Sequence, residues 1–328
     1  MIKFPSIEQF RNVVRAARMD SDYRGKDDAG SAIYQHDKPY PELFFLGTVK
    51  LHGTNAAIVK YKDRIEYQSR ERVLDLQHDN HGFMLNMLSK DLTALFGEVR
   101  FEEHCAFFGE WCGSGIQSGV AISGLPKMFC IFALNVDGRW YETQQSDHSQ
   151  QIYNVKDFGL FGISVNFNNP EEAQNTLIET TNQVEGECPA GKFFGVNGVG
   201  EGVVWTAKYR DEFYRFKVKG EKHSVSKVKT LASVDVEQVR NMEDFADQVI
   251  TDSRLSQAVD WLVDNGKPLD QTSTGDFLRW IYNDVVKEEQ DTIVANQLDP
   301  KKLGSVLSKK AREWWFKRLD SFVGNPIL

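Results

Sequence analysis

The stretch TVKLHGTN, residues 48–55, decides the fold of this chain. The β-branched residues before Lys50 predict the end of a strand. Residues 52–55 then predict a turn, and AAIVKY, residues 56–61, the next strand. Lys50 thus stands at the mouth of a hairpin-like turn, next to Gly53, which we expect to let a ligand approach the backbone. Such a lysine is a nucleophile when its neutral form is accessible, because an ammonium has no lone pair. Taken alone, the pattern also fits a surface lysine beside a turn.

Composition describes a globular protein with a sizeable core. The 328 residues are 41% hydrophobic and 26% charged, enough for one large or two ordinary domains. No apolar run approaches the length of a membrane span, and the first residues contain neither an apolar signal region nor a cleavage site. The four cysteines match no zinc pattern, so we expect reduced thiols. These features predict a cytoplasmic protein, in the host cytoplasm if a phage encodes it.

The charge is unevenly distributed along the chain. The net charge of −8 argues against a protein coated by nucleic acid. Residues 208–229 are nevertheless mostly basic, which suits phosphate, although a solvated charged strand and loop is the commoner outcome. The basic residues of this segment are Lys208, Arg210, Arg215, Lys217, Lys219, Lys222, His223, Lys227 and Lys229.

Residues 40–220 have mostly the pattern of β-strands, which predicts an α+β fold with antiparallel sheets and flanking helices. We expect helices from residue 7 to 17, from 83 to 95 and from 171 to 183, the last one capped by Asn169 with Pro170 in its first turn. The predicted strands are residues 43–51, 56–61, 64–69, 105–111, 127–136, 202–208 and 212–219.

From residue 236 onward the apolar spacing becomes helical. One stripe runs from Phe245 to Leu262 and another from Phe277 to Ile293. A third helix starts at Pro300 and is predicted to place Leu303, Leu307, Trp314 and Leu319 on one face. A boundary near residues 228–235 therefore separates a domain of residues 1–230 from a small all-helical domain of residues 231–328. The basic final helix fits either a nucleic-acid surface or a packed helix with a solvated basic face.

Further residues could carry chemistry together with Lys50. Arg70 follows a strand and has the geometry to hold a ribose or phosphate. Glu110 lies in the apolar segment FGEW, where an acid is costly to bury without a partner. Glu201 begins a strand after a glycine-rich run that is not a Walker A loop. Lys217 and Lys219 alternate in a strand, so they share a face and repel each other unless an anion lies between them.

This set of residues is typical of covalent nucleotidyl transfer. A lysine attacks the α-phosphate of a nucleotide, pyrophosphate leaves, and a metal near carboxylates offsets the developing charge. We expect the neighbouring cations and the metal to favour the neutral form of Lys50. Aromatic side chains in residues 128–134 can offer a face to the base.

The chain closely resembles the RNA ligase 2 family of covalent nucleotidyltransferases, over about residues 47–219. The KxHGTN form of the lysine motif carries the resemblance, together with FGEWCGSGIQ, residues 108–117. It implies an ATP-grasp-like ligase domain and a small helical second domain. It also implies a phage-type, ATP-dependent ligase that seals a 3′-OH to a 5′-phosphate in nicked duplex RNA, through enzyme-AMP and AMP-capped RNA, for RNA repair.

The resemblance also implies residue roles. Lys50 is the residue that carries AMP, and Glu201 helps hold Mg²⁺ or Mn²⁺. The nucleotide contacts it implies involve His52, Asn55, Arg70, Glu110, Phe132, Lys217 and Lys219, with Glu110 on the ribose, Phe132 stacked on adenine and the two lysines on the phosphate. Val49 departs from family members that carry an acid before the lysine. The contact to the adenine edge is therefore left open, and a backbone group can supply it.

Two other interpretations stay open. The chain could be a DNA-nick ligase or another lysine nucleotidyltransferase such as a guanylyltransferase, although no OB-like β segment follows residue 230. It could also be a non-catalytic nucleic-acid-binding protein on a ligase fold, although Lys50, Glu201, Lys217 and Lys219 are all intact. We expect a monomer that engages RNA ends and no membrane.

Overall fold

The computed structural model describes residues 1–97, 99–220, 222 and 242–323. The chain divides into two compact units, Met1–Gly220 and Glu221–Leu328. The boundary predicted at residues 228–235 lies outside the described residues, as do His223, Lys227 and Lys229 of the basic segment. Within the described ranges, no helix combines the length and apolarity that crossing a bilayer requires.

The first unit is an α+β fold whose sheets are almost entirely antiparallel, as predicted. Its helices are α1 (Phe10–Asp22), α2 (Phe83–Leu88), α3 (Thr93–Phe96), α4 (Gln174–Gly186) and α5 (Pro189–Phe193). Its strands are β1 (Tyr23–Lys26), β2 (Ala32–Tyr34), β3 (Glu42–Lys50), β4 (Thr54–Tyr61), β5 (Ile65–Ser69), β6 (His104–Cys112), β7 (Met128–Val136), β8 (Arg139–Tyr141), β9 (Ile152–Asn154), β10 (Leu160–Asn166), β11 (Gly202–Tyr209) and β12 (Glu212–Lys219).

Two sheets form the body of this unit. A four-stranded sheet has the order β10-β3-β11-β12, and a six-stranded sheet has the order β5-β4-β6-β7-β8, with β9 beside β7 as the one parallel neighbour described. A small ribbon pairs β1 with β2. The turn after β3 carries the chain directly from the four-stranded sheet into β4 of the six-stranded sheet. The KLHGTN segment is therefore the junction between the two sheets.

Alternation along the strands separates a core face from a more open face. In β3, Leu43, Phe45, Gly47 and Val49 are buried, while the residues that alternate with them are less so. In β12, Phe216 is fully buried and its ring lies 5.1 Å from that of Phe45. Because side chains of a strand alternate between its faces, the charged residues of β3 and β12 lie together on the opposite face.

Two predicted helices differ in detail. The helix expected over residues 83–95 is two helices, and between them the carboxylate of Asp91 accepts a hydrogen bond from the Thr93 amide at 2.9 Å, a local contact that competes with continuous helix. The helix expected from residue 171 begins with a 3₁₀ turn over Pro170–Ala173 and continues as α4. The predicted N-cap position of Asn169, with Pro170 directly after it, is confirmed, although the Asn169 side chain makes no capping hydrogen bond.

The second unit is helical in its described part. Its helices are α6 (Met242–Val249), α7 (Asp252–Asp264), α8 (Thr274–Glu288), α9 (Gln290–Ala295) and α10 (Pro300–Val323). The apolar stripe predicted from Phe245 to Leu262 covers α6 and α7, and the stripe from Phe277 to Ile293 covers α8 and α9.

The face predicted for α10 is confirmed, since Leu303, Leu307 and Leu319 are buried and Trp314 packs against the same core in part, with its Nε1 donating to Asp252 at 2.7 Å. The prediction missed Trp315, which is fully buried. The buried positions of α10 follow a strict four-residue spacing and are Leu303, Leu307, Ala311, Trp315 and Leu319.

Replacing Trp315 is expected to destabilise the protein more than replacing its neighbour. Trp315→Ala removes a side chain that stacks on Phe277 at 4.6 Å and donates to Thr274, and should cost about 3–5 kcal/mol. Trp314→Ala, the matched control, should cost about 1 kcal/mol, because its ring is partly solvated. Urea unfolding of the full chain, followed by far-UV circular dichroism, measures both. Equal losses would contradict the assigned core.

Candidate active site

The junction after β3 is held in place by a close approach of the backbone to β6. A Cβ atom added at Gly53 would lie 2.3 Å from the carbonyl oxygen of Trp111, far inside van der Waals contact. Strand β6, rather than a ligand, is thus what approaches this glycine, contrary to the expectation from the sequence. The Gly53 amide donates to Glu110 Oε1 at 3.0 Å. The glycine therefore couples the lysine turn to the Glu110 strand.

Glu201 lies at the centre of a buried charge cluster. Its side chain is 1% exposed, and Lys50 Nζ donates to its Oε2 at 2.8 Å. Lys219 Nζ lies 2.8 Å from its Oε1, and His52 Nδ1 lies 3.3 Å from its Oε2. The structure thus brings together four of the predicted site residues from three separate parts of the chain. A carboxylate removed from water is stable here because cations contact both of its oxygens.

The strand register arranges the open face of the four-stranded sheet in rows. Strand β11 pairs with both β3 and β12, so each row crosses three strands. The rows, from β3 through β11 to β12, are Lys50-Gly202-Lys219, Thr48-Val204-Lys217 and Leu46-Thr206-Arg215. The first row carries the charge cluster, and the second carries Lys217 on the same face as Lys219, as predicted from their alternation.

The six-stranded sheet supplies the opposite wall. Asn55 of β4 is the register partner of Glu110 in β6. Between β6 and β7, Phe108 pairs with Ala133 while Gly109 pairs with Ile131, which leaves Phe132 as the extra residue of a β-bulge. A bulge changes the direction of a side chain. Here it allows Phe132 to line the same pocket as Lys50 and Glu110.

The two walls flank a pocket that is partly open to solvent. Lys50, Thr48 and Val204 line one side, and Glu110 and Phe132 line the other. An aromatic face opposite an aliphatic side chain, with Lys50 at one end, suits a flat base attached to a phosphate.

Electrostatics hold Lys50 as an ammonium. Burial works against its charge, but the Glu201 and Glu110 carboxylates outweigh burial, so the pKa of Lys50 is raised. The expectation that neighbouring cations make Lys50 neutral is therefore wrong for the protein alone. Burial also opposes the charge of Glu201, yet Lys219 and Lys50 keep the pKa of that carboxyl well below its usual range.

Two other groups of the site titrate nearer to neutral pH. Burial raises the pKa of Glu110 to about 6, against the opposing effect of Lys50. Burial lowers the pKa of Lys219 to about 8, and the repulsion of Lys50 and Lys217 adds to this effect while Glu201 opposes it. Perturbed groups that cluster in a pocket are typical of functional sites.

Arg70 is less enclosed than the other predicted residues. Its side chain is 60% exposed, and Nε lies 3.9 Å from Glu71 Oε1. Its charge nevertheless lowers the pKa of Lys50, which places Arg70 within electrostatic range of that lysine. Its exposure leaves the guanidinium available to a ligand at the rim.

The sequence analysis missed several residues of the pocket. Thr48, Val204 and Arg215 line it through the strand register, and Phe4 reaches it from the N-terminal segment. The alternation of side chains in β12 could have indicated Arg215 as a pocket residue, because Arg215 lies on the same face of the strand as Lys217 and Lys219. No local pattern marked Phe4.

The donor set for a metal is small. In the part of the chain that the structure describes, no group of three or more His, Cys, Asp and Glu side chains is arranged to hold a metal ion. The prediction of a metal rests on Glu201, whose oxygens contact lysines. Magnesium commonly binds through one or two carboxylates plus substrate phosphates and water. The donor set therefore fits a metal that arrives with a nucleotide.

Comparison with known proteins identifies a family. The RNA ligase family model matches residues 44–229, more than half of the chain. Similar solved structures include a Naegleria gruberi RNA ligase mutant with ATP and Mn, with 15% sequence identity and a TM-score of 0.43. A mutant of Naegleria gruberi RNA ligase R4a in its apo form has 18% identity and a TM-score of 0.44. This chain is covered over 67% of its length and covers 57% and 56% of theirs, respectively. No curated protein sequence matches.

Removing the charge of Glu201 is expected to make Lys50 more reactive. Glu201→Gln removes the main attraction that raises the pKa of Lys50. At a pH below that pKa, each unit by which the pKa falls increases the fraction of neutral amine about tenfold. Competitive acetylation at pH 8, read by peptide mass spectrometry, should show faster modification of Lys50.

The matched control is Glu187→Gln. Glu187 pairs with Lys192 in an exposed ion pair, so the acetylation rate of Lys192 should change little. Circular dichroism verifies that both variants are folded. An unchanged rate at Lys50 in folded Glu201→Gln would contradict the assigned electrostatics.

Proposed function

The chain belongs to the RNA ligase family, and on that premise we propose that it is an ATP-dependent RNA ligase. It joins 3′-OH and 5′-phosphate ends, at nicks in duplex RNA, through a lysyl-AMP enzyme and AMP-capped RNA. The observation that carries the proposal is the Lys50–Glu201–Lys219 cluster at one end of the pocket between the two sheets. A lone nucleophilic lysine with a buried counter-ion and a second cation suits phosphoryl chemistry.

The first step transfers AMP to the enzyme. Lys50 Nζ forms a bond to the α-phosphorus of ATP, the bond from that phosphorus to the β-phosphate oxygen breaks, and pyrophosphate leaves. Lys50 must first lose a proton, which passes to solvent water through the open side of the pocket. Because the pKa of Glu201 is well below its usual range, this carboxylate stabilises the ammonium and is a poor base. Rearrangement of the ion pairs on nucleotide binding therefore precedes attack.

Glu201 and the nucleotide phosphates would hold a divalent metal, Mg²⁺ or Mn²⁺, which would supply positive charge at the α-phosphate. Lys219 and Lys217 face the same phosphate from β12 and stabilise its charge in the transition state. At neutral pH Lys219 remains mostly cationic, since its pKa is about 8.

The remaining pocket residues orient the nucleotide. Phe132 and Val204 lie on opposite walls and hold the base between them. Glu110 accepts from a ribose hydroxyl and is ionised above about pH 6. Its register partner Asn55 and the rim residue Arg70 contact the sugar and phosphate region. His52 fixes Glu201, which it approaches to 3.3 Å.

Two further transfers complete sealing. The 5′-phosphate of RNA takes AMP from Lys50, which breaks the nitrogen–phosphorus bond, and the 3′-OH then attacks the capped phosphate and releases AMP. We assign residues 1–230 to AMP transfer and residues 231–328 to RNA engagement. The exposed basic residues of α10 support the second role and include Lys301, Lys302, Lys309, Arg312 and Lys317. We further propose that the protein is a phage-type monomer that repairs RNA in the cytoplasm.

Labelling with [α-³²P]ATP and magnesium tests the proposal. The wild-type protein, first stripped of bound AMP with pyrophosphate, should become labelled, and label should move into sealed RNA when nicked duplex RNA is added. Lys50→Ala should lose at least about a thousandfold in labelling rate, because it removes the nucleophile. Lys62→Ala, an exposed lysine after β4, is the matched control and should label normally.

The other outcomes separate the alternatives. Label that Lys50→Ala still acquires would contradict the assigned nucleophile. Preferential labelling by GTP would indicate a guanylyltransferase, and transfer to nicked DNA alone a DNA ligase. Tight RNA binding by a folded protein that takes up no label would favour a non-catalytic binding protein.

A further inference from the structure

The N-terminal segment, residues 1–9, connects the two sheets beside the pocket. At one end the Ile2 amide donates to Gln68 Oε1 of β5 at 3.2 Å. At the other end the Glu8 amide donates to the carbonyl of Arg215 at 3.2 Å, and the Glu8 carbonyl accepts from the Lys217 amide at 3.0 Å. Between these anchors Phe4 lines the pocket, with its ring 4.9 Å from that of Phe132. The segment is thus part of the nucleotide pocket.

Arg215 is a cation of the pocket that the proposed chemistry does not use. Its Cζ lies 5.2 Å from the ring centre of Phe4 and 4.4 Å from that of Phe213. Across residues 1–97, 99–220 and 242–323, no side chain forms a hydrogen bond or ion pair with its guanidinium. Burial lowers the pKa of Arg215 to about 10, so it stays charged at neutral pH. A partly buried guanidinium with five donors and no acceptor is suited to a ligand.

An acceptor lies on the opposite wall. Glu142 follows β8 and lines the same pocket as Arg215. Both side chains line this pocket, and the Glu142 carboxylate raises the pKa of Arg215 against the effect of burial. They are nevertheless not paired, and Glu142 Oε2 contacts Lys156 Nζ at 2.7 Å. A donor-only group and an acceptor-only group therefore face a common space.

The positions of Arg215 and Glu142 in the pocket relate the space between them to the base of a bound nucleotide. Arg215 is in the third row of the four-stranded sheet, four residues from Lys219, or about 13 Å at about 3.3 Å per residue. A nucleotide whose α-phosphate lies in the first row places its base at the second row, between Val204 and Phe132. The far edge of that base then points toward Arg215 and Glu142.

The side chain before the nucleophile does not reach this edge. Val49 is 2% exposed and its side chain alternates to the core face of β3. The adenine edge presents an exocyclic amine, which is a donor, beside a ring nitrogen, which is an acceptor. An arginine and a carboxylate complement that pair.

We propose that Arg215 and Glu142 read the edge of the purine base, Arg215 donating to a ring nitrogen and Glu142 accepting from the 6-amino group. This inference rests on the proposed nucleotide function. It assigns base specificity to two residues that line the pocket at the third row, with Phe4 positioning the guanidinium.

Binding of three monophosphates by isothermal titration calorimetry tests the inference without the covalent step. The ligands are AMP, purine riboside monophosphate, which lacks the amine, and inosine monophosphate, which reverses the donor and acceptor. The wild-type protein, stripped with pyrophosphate, should prefer AMP over both by about tenfold or more. Arg215→Gln should weaken AMP binding by about tenfold and reduce its preference over inosine monophosphate. Glu142→Gln should reduce the preference for AMP over purine riboside monophosphate.

The matched control is Arg210→Gln, an exposed arginine in the same β11–β12 hairpin, which should bind like wild type. Equal loss for all three ligands in Arg215→Gln would overturn the inference, since it would indicate a role at the phosphate or in folding. If Arg215→Gln does not fold, Glu142→Gln tests the inference instead, because the Glu142 side chain is 49% exposed and its replacement should leave the protein folded. An unchanged preference for AMP over purine riboside monophosphate in Glu142→Gln would overturn the inference.

The outcome is separable from that of the proposed ligase activity. A wild-type protein that takes up label from ATP but binds the three monophosphates equally overturns the base assignment alone. A wild-type protein that prefers AMP yet takes up no label supports the base assignment and contradicts the ligase proposal.

Discussion

The ion pairs of Glu201 with Lys50 and Lys219 are the interaction on which the candidate site depends. A carboxylate that is 1% exposed needs cations on both oxygens. Those cations come from the end of β3 and the end of β12, and Glu201 lies directly before β11 between them. The register of three strands and the charge cluster therefore specify each other, because a slip by one residue would turn each lysine to the core face.

The same cluster keeps Lys50 protonated in the protein without a ligand. Glu201 and Glu110 raise the pKa of Lys50 despite burial, so the resting lysine is an ammonium. This arrangement stabilises the fold and makes reactivity depend on what enters the pocket. A ligand that redistributes the partners of Glu201 changes the protonation of Lys50 without moving the backbone.

The pocket joins two sheets that contribute different chemistry. The four-stranded sheet orders charge by rows, from the lysines at one end to Arg215 at the other. The six-stranded sheet contributes Glu110 by register and Phe132 by a bulge. Gly53 joins the two by allowing β6 to approach the lysine turn, where a Cβ atom would meet Trp111.

The amino-acid sequence by itself determined the α+β character, the strands near the site and the candidate site residues from Lys50 to Lys219, because alternation and turn residues are local and the lysine motif is short. The tertiary structure alone decided the protonation of Lys50, the bulge at Phe132 and the close approach of β6 to Gly53. It also decided that Trp315 is fully buried while Trp314 is only partly buried. Arg215 and Phe4 belong to this second group. These features depend on which groups meet across sheets and helices, and the energies of burial and charge pairing that settle them arise only from such long-range contacts.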